Sequence, residues 1–218
     1  MHCLLIAATA REIAPFIQHY RQSRKLLYID MTIDVLVTGI GLTSTVYHLS
    51  RQVQLRKPDL VVQAGVAGCF DTRVPLGTVV AVKQEAIADE SVVEIEKLKT
   101  LFDLKLVPHN QAPYKKGWLI NPGKTLLKRT RLKMVKGITV NQISHDKKMI
   151  RFYRDYFNPV TESMEGAALH YVCLMEHIPF LQIRGLSNYI GERNKKKWNM
   201  QDSIMNLNRE LIRLLESL

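Results

Sequence analysis

Glu12 is the first residue of this sequence whose type and position suit chemistry on a small polar molecule. It follows an apolar segment, "CLLIAAT" (3–9), that is typical of a buried strand. In an open α/β sheet ligands bind beyond the carboxyl ends of the strands, so a carboxylate at this point could take a proton from a bound water. The alternative interpretation is a solvated glutamate in the first turn of the helix that follows.

A second glutamate, Glu165, lies in the segment "TESMEGAALHYVC" (161–173). Ser163 is a predicted helix N-cap, which puts Glu165 in the first turn, where the helix dipole favours an ionised carboxylate. An ionised carboxylate only accepts hydrogen bonds, and it therefore suits the neighbouring hydroxyls of a ribose. A solvated glutamate that stabilises the helix end is again the alternative.

An uncharged amide, Asn188, follows the strand predicted over 180–186, in "IRGLSNYIGE" (183–192). The residues at this strand end are small, and so are those at 39–41 and 65–68. Glycine-rich strand ends let a ligand approach the backbone, although glycine also simply ends strands and helices. The sequence therefore predicts three junctions at which a ligand could bind.

The remaining reactive side chains form no recognisable set. The seven histidines have no triad-like or metal-like spacing, and we interpret them as structural or surface residues. The cysteines, Cys3, Cys69 and Cys173, lie in apolar segments and fit neither a zinc site nor a redox pair. This pattern predicts buried, reduced thiols in a cytoplasmic protein. The first residues, "MHCLLIAATA", lack the basic region of a secretory signal and are better interpreted as a strand.

The formal net charge is +11 and the isoelectric point is near 9.6. The basic residues are scattered and are not interleaved with aromatic residues, which argues against a nucleic-acid-binding surface. A solvated basic surface explains this balance, and an acidic small substrate is the alternative. No apolar run reaches the ~20 residues that a membrane helix needs.

Short apolar runs alternate with amphipathic segments, which predicts an α/β fold in one domain over 1–218. The segment 25–41 is typical of two strands with a bend near 30–32, and 90–135 of loops with one helix. Further predicted strands are 59–68, ending in a Gly-Val-Ala-Gly turn, 77–82 and 137–144. Predicted helices begin at Thr43 or Ser44, at Ser163 and at Asp202 or Ser203.

Four segments in this order resemble the nucleoside phosphorylase and nucleosidase superfamily. They are the first strand with Glu12, "VTGIG", "KPDLVVQAGVAGCF … PLGTVVAV" and "ESMEGAALHYVC … PFLQIRGLSN". The resemblance implies a mixed, twisted β-sheet flanked by helices, assembled as a homo-oligomer. It also implies cleavage of the N-ribosidic bond of a small-molecule nucleoside, with no metal or organic cofactor and no nucleic-acid or membrane partner.

The resemblance also implies roles for individual residues. Glu12 would activate the attacking water, and Met164 with Glu165 would pack under the ribose and bind its hydroxyls. Asn188 would hold the leaving base. The remaining substrate-binding positions implied are Gly65, Val66, Ala67, Gly68, Ser163 and Ser187.

Asn188 is where the chain departs from adenine-specific members of the superfamily, which have aspartic acid there. An aspartic acid can donate a proton to purine N7, whereas the NH2 of an asparagine only donates hydrogen bonds, to N7 or a 6-oxo group. The combination of "ESMEGAA" and "SN" is most similar to futalosine hydrolases of menaquinone biosynthesis, which implies hypoxanthine as the leaving base. A methylthioadenosine/S-adenosylhomocysteine nucleosidase and a purine nucleoside phosphorylase are the alternatives.

Overall fold

The computed structural model describes residues 1–27 and 31–218. Its strands are β1 (His2–Ala7), β2 (Thr32–Val37), β3 (Leu60–Cys69), β4 (Val79–Ile87), β5 (Ser91–Glu94), β6 (Lys97–Thr100), β7 (Leu119–Ile120), β8 (Lys133–Thr139), β9 (Thr161–Ser163) and β10 (Phe180–Tyr189). Its helices are α1 (Ala14–Leu27), α2 (Leu42–Leu55), α3 (Lys124–Arg129), α4 (Lys147–Phe157), α5 (Gly166–Met175) and α6 (Met200–Glu216). A 3₁₀ turn, Ala10–Ile13, links β1 to α1, and a second, Lys195–Lys197, precedes α6.

The main sheet of the described residues is mixed, with strand order β10-β4-β8-β9-β3-β1-β2 and β7 paired to β4. Strands β1, β2, β3 and β10 run parallel. β10 also pairs antiparallel with β4, and β9 pairs antiparallel with the end of β3. Because β4, β8 and β9 are parallel neighbours, the strands β3, β10, β4, β8 and β9 close a ring. The expected α/β class with a mixed sheet flanked by helices is confirmed.

Helices cover both faces of the sheet at β1 and β3, which explains why these two strands are nearly continuous apolar runs. Alternate residues of β1 point to opposite faces. Cys3 and Leu5 pack in one core with side chains of α1 and α6, such as Phe16 and Leu211. Leu4 and Ile6 instead face α2 and α5. The helices thus hold the carboxyl ends of β1, β3 and β10 at one edge of the sheet.

Several predicted boundaries are wrong. Residues 25–27 end α1 and do not begin a strand, while 28–30 lie outside the described residues. The Gly-Val-Ala-Gly segment, 65–68, is not a turn, because it is extended strand within β3. Helix α2 begins after Gly41, whose φ is 97°, and not at Thr43 or Ser44. The segment 90–135 holds the predicted helix, α3, but also a hairpin, β5–β6.

Three further findings concern the rest of the chain. The predicted buried thiols are confirmed, since all three cysteines are free and buried. No helix within residues 1–27 and 31–218 is both long and apolar enough to cross a bilayer. Helix α4 is an element for which no prediction was made, and Asp146 caps it by accepting a hydrogen bond from the Met149 amide at 2.9 Å.

Candidate active site

A cavity of about 320 Å³ opens at the carboxyl ends of β1, β3 and β10. It contains all three residues that sequence reasoning selected for chemistry, Glu12, Glu165 and Asn188. The other predicted positions in its wall are Val66, Ala67, Gly68, Ser163, Met164 and Ser187. Gly65 is absent from the lining. Two strand ends, with Glu12 and Asn188, and one helix start, with Glu165, therefore meet in one cavity although they are far apart in sequence.

Glu12 lies in the 3₁₀ turn after β1 and is only 8% exposed. Its Oε2 accepts hydrogen bonds from the backbone N–H and the hydroxyl of Thr9, both at 2.9 Å. Its Oε1 accepts from the Val66 amide at 3.0 Å. A carboxylate has about four acceptor positions, so one position remains for a water in the cavity. The solvated-glutamate interpretation of Glu12 is wrong.

Gly65 lies behind the cavity wall, where it lets two charged side chains pack closely against β3. A Cβ at this position would lie 2.5 Å from Arg184 Nη1 and 2.9 Å from Glu12 Oε1. No side chain larger than hydrogen fits without moving one of them. The absence of a side chain at Gly65 therefore allows Arg184 and Glu12 to pack against β3.

Glu165 is the N-cap of α5 and is buried, so it is neither in the first turn nor solvated. Its Oε1 accepts from the Gly41 amide at 3.1 Å, and its Oε2 lies 3.7 Å from Arg184 Nη1. Burial raises the pKa of Glu165, and Arg184 and the Gly41 amide counteract part of that rise. Arg184 is thus the nearby counter-charge of Glu165, a partner that the sequence did not suggest.

Ser163 ends β9, two residues before the N-cap, so its predicted place as the N-cap is wrong. Its hydroxyl nevertheless accepts from the amide of Gly166, the first helical residue, at 3.2 Å. It also accepts from Arg184 Nη2 at 3.3 Å. Ser163 thus ties the helix start to the buried guanidinium, and Met164 beside it faces the cavity.

Asn188 and Ser187 lie on β10 itself, not beyond its end. The Ser187 hydroxyl donates to Asn188 Oδ1 at 2.9 Å, and Asn188 Nδ2 donates to the Tyr189 carbonyl at 3.3 Å. These bonds orient the amide and occupy one of its two N–H groups. The second N–H is left for a ligand in the cavity.

Arg184 and Glu85 form a buried polar layer beneath these residues. Arg184 is 1% exposed and donates from Nη2 to Gln63 Oε1 at 2.9 Å. Glu85 is fully buried and accepts from Gln182 Nε2 at 2.8 Å and from the Thr139 hydroxyl at 3.2 Å. Burial raises the pKa of Glu85 to about 7 against the opposing effects of Gln182 and Arg184.

Three charged residues at the cavity had no role in the predicted hydrolytic site: Glu162 and Arg11 in its lining, and Arg184 behind its wall. Arg184 carried a usable signal, because an arginine inside an apolar strand is rarely buried without an acidic partner. Glu162 and Arg11 both line the cavity, yet no spacing distinguishes them from surface charges.

The chain belongs to the phosphorylase superfamily, whose sequence pattern matches residues 4–217. It is 28% identical over 182 residues to the futalosine hydrolase of Thermus thermophilus, covering 83% of this chain and 80% of the relative. This membership confirms the resemblance that the sequence motifs suggested.

Solved structures share the fold, and two of them show the degree of similarity to this chain. The 5′-methylthioadenosine/S-adenosylhomocysteine nucleosidase of Helicobacter pylori, with butyl-thio-DADMe-Immucillin-A, gives a TM-score of 0.82 at 18% identity over 100% of this chain and 99% of its own. The futalosine hydrolase of Helicobacter pylori gives 0.79 at 17% identity over 100% and 98%.

Proposed function

We propose that this protein hydrolyses the N-ribosidic bond of futalosine, releasing hypoxanthine and dehypoxanthine futalosine on the futalosine route to menaquinone. Membership in the phosphorylase superfamily and a relative that is a futalosine hydrolase place the chain among enzymes that cleave N-glycosidic bonds. One observation carries the choice of substrate. The cavity presents an amide N–H donor, Asn188, and not an acid, at the position proposed to hold the leaving base, while Glu12 is available for the attacking water.

In the proposed reaction, water attacks the anomeric carbon while the bond to the purine nitrogen breaks. Glu12 takes the proton of the attacking water, since its carboxylate retains one free acceptor position. The electrons of the broken bond pass to the purine. Asn188 stabilises the resulting charge by donating a hydrogen bond, and the base takes its proton from solvent.

Glu165 serves the ribose in this mechanism. Its carboxylate accepts hydrogen bonds from the ribose hydroxyls. Its negative charge stabilises the positive charge that develops on the ribose ring as the base leaves. Arg184 and the Gly41 amide keep this carboxylate in place. Met164 and the main chain of Val66 to Gly68 provide the surface on which the sugar and base rest.

The 5′ side of futalosine carries a benzoate-like carboxylate, and the cavity offers it a cation. Among the described residues that line the cavity, Arg11 is the one lysine or arginine. It is exposed, and Trp198, Met200 and Ile204 line the cavity with it. An aromatic acid suits this combination of an apolar wall and a guanidinium. A short methylthio group would leave Arg11 without a partner.

Phosphorolysis is the main alternative on this fold, and its anion would have to bind near 39–41. Two of the donors there are already engaged. The Gly41 amide donates to Glu165, and the Ser44 hydroxyl donates to the Thr38 carbonyl at 2.6 Å. These bonds favour water over phosphate as the nucleophile.

A product assay in phosphate-free buffer tests the proposal. Futalosine, inosine and methylthioadenosine are supplied separately, and the free base is followed by chromatography. Hypoxanthine from futalosine, at a rate that added phosphate leaves unchanged, is the expected result. Adenine from methylthioadenosine as the main product would contradict the substrate, and turnover of inosine only with phosphate would contradict hydrolysis.

A further inference from the structure

Glu162 is a buried carboxylate in the cavity wall that the proposed hydrolysis does not use. It is 5% exposed and lies on β9. Its Oε1 accepts from the Ser144 amide at 3.0 Å. Its Oε2 has no hydrogen-bond partner within the described part of the chain. The Ser144 hydroxyl is also buried without a partner, and together with the Ser144 amide it lowers the pKa of Glu162, so it lies close to this carboxylate. A carboxylate accepts up to about four hydrogen bonds, so a donor from a ligand in the cavity can still bind to Oε2.

The sheet register places Glu162 opposite Asn188. Gly68 of β3 pairs with Asn188 of β10 on one side and with Glu162 of β9 on the other. Residues paired directly across strands point to the same face, and neighbouring strands lie about 4.8 Å apart, so the two side chains rise from backbone positions roughly 9 to 10 Å apart. Gly68 between them carries no side chain. The two polar groups therefore flank one part of the cavity.

The surface around this pair is apolar. Val140, Ile143 and Ile190 line the same cavity, and Ile190 packs against Gly68 so closely that a Cβ there would lie 2.3 Å from its Cδ1. A flat heteroaromatic ring fits such a wall, with polar groups needed only at its edges. Asn188 offers a donor at one edge, and Glu162 offers an acceptor at the other.

We propose that Glu162 is a specificity-determining residue that accepts the ring N1–H of a 6-oxopurine, while Asn188 donates to the 6-oxo group or to N7. The inference rests on the proposed function, because it names the group by which the same site selects its leaving base. Hypoxanthine has N1–H as a donor, whereas adenine has an unprotonated N1 that is an acceptor. Adenine would set a lone pair against the Glu162 carboxylate, and a site with an unpaired buried acceptor rejects such an analogue strongly.

Glu162→Gln tests this inference because the amide reverses the polarity of the free position. The Ser144 amide requires an acceptor, so the glutamine oxygen faces Ser144 and the NH2 takes the place of Oε2. That NH2 opposes the N1–H of hypoxanthine but donates to N1 of adenine. We expect the ratio of kcat/KM for futalosine to kcat/KM for its 6-amino analogue to fall at least tenfold. Both substrates are assayed at one neutral pH, at which the N1–H of the 6-oxopurine is retained.

Two controls separate recognition from folding. Glu94→Gln removes the same charge from an exposed position on β5 and is expected to leave the ratio unchanged. Hypoxanthine and its 1-deaza analogue, which lacks the ring N–H, are compared for binding to the unaltered protein by calorimetry. A Kd at least tenfold weaker for the 1-deaza analogue is expected, and this measurement needs no variant to fold.

The outcomes distinguish this inference from the proposed function. If the protein does not cleave futalosine but binds hypoxanthine more tightly than its 1-deaza analogue, the inference stands and the proposed substrate is wrong. Equal binding of the two bases overturns the inference whatever the substrate. Equal slowing of both nucleosides by Glu162→Gln also overturns it, since a residue that only positions the Ser144 segment would impair both alike.

Discussion

Glu165 Oε2 lies 3.7 Å from Arg184 Nη1, and both side chains are almost completely buried. Each charge is the counterpart of the other where little of either side chain reaches solvent. Arg184 is held by Gln63 and Ser163, and Glu165 by the Gly41 amide. The carboxylate proposed to bind ribose is thus kept in place by a guanidinium from a different strand.

Arg184→Gln therefore leaves Glu165 buried without its counter-charge. Breaking a buried pair costs about 3–5 kcal/mol of unfolding free energy, and the loss is expected here. Urea denaturation measures it. Arg56→Gln is the matched control, because Arg56 pairs with Asp34 at 3.0 Å while more than half exposed. Such a surface pair contributes about 0–1 kcal/mol, so equal effects of the two variants would contradict the role given to Arg184.

Glu85 makes stability depend on pH. Its pKa rises from an ordinary value of 4.5 to about 7 in the folded protein, mainly by burial. A raised pKa means that the folded state holds the proton more tightly, so the contribution to stability is full below pH 4.5 and lost as the pH rises to about 7. For one shift of this size the loss is on the order of 3 kcal/mol.

Glu85→Gln removes this titration while keeping an oxygen for Gln182. The free energy of unfolding of the variant should fall less between pH 4.5 and 8 than that of the unaltered protein. Chemical denaturation across this range measures the difference. Other buried carboxylates also make the free energy of unfolding depend on pH. The comparison therefore includes Glu94→Gln, which replaces an exposed carboxylate. Parallel curves for all three proteins would show that Glu85 does not titrate in this window.

Arg11→Gln tests the recognition of the 5′ carboxylate. The variant should raise KM for futalosine about tenfold, as expected for the loss of one charge-assisted hydrogen bond, and leave inosine unaffected. Arg21→Gln makes the same change at an exposed position on α1, outside the cavity lining. Steady-state kinetics on both nucleosides give the answer. An equal change in KM for inosine would mean that Arg11 maintains the shape of the cavity and does not bind the 5′ carboxylate.

The site could be predicted from sequence to the extent that it depends on strand ends. Glu12 and Asn188 each lie close to the end of an apolar run, and parallel strands bring such ends together. Glu165 was instead selected by its place near a predicted helix start, and it is the N-cap of α5. The conformation of Gly65 to Gly68 could not be predicted in this way. Four small residues suit a turn, but pairing with β10 on one side and β9 on the other keeps this segment extended.

The burial of charged side chains is the second feature of the site that could not be predicted from the sequence. Arg184 is buried because Gln63, 121 residues away in sequence, accepts its hydrogen bond. The buried Glu162 accepts its hydrogen bond from the Ser144 amide, 18 residues away. No local pattern encodes partners at such separations. Helix α4 was missed for a related reason, since its sequence, "KKMIRFYRDYF", is rich in charged and aromatic residues, and only a few positions such as Ile150, Tyr153 and Phe157 are buried.

Asn188→Asp asks whether the choice of base depends on an amide rather than an acid. Ser187 already donates to Oδ1 of residue 188, so an aspartate can keep that bond and direct its other oxygen into the cavity. When protonated, that oxygen could pass a proton to N7 of adenine, and a positioned acid contributes about 10²–10⁴ to a rate. When ionised, it repels the oxygen of a 6-oxopurine. The variant should therefore gain activity on methylthioadenosine, by at least tenfold, and lose activity on futalosine. Release of adenine and hypoxanthine, followed separately, measures both changes. A parallel loss on both nucleosides would mean that Asn188 supports the fold of β10 and does not read the base.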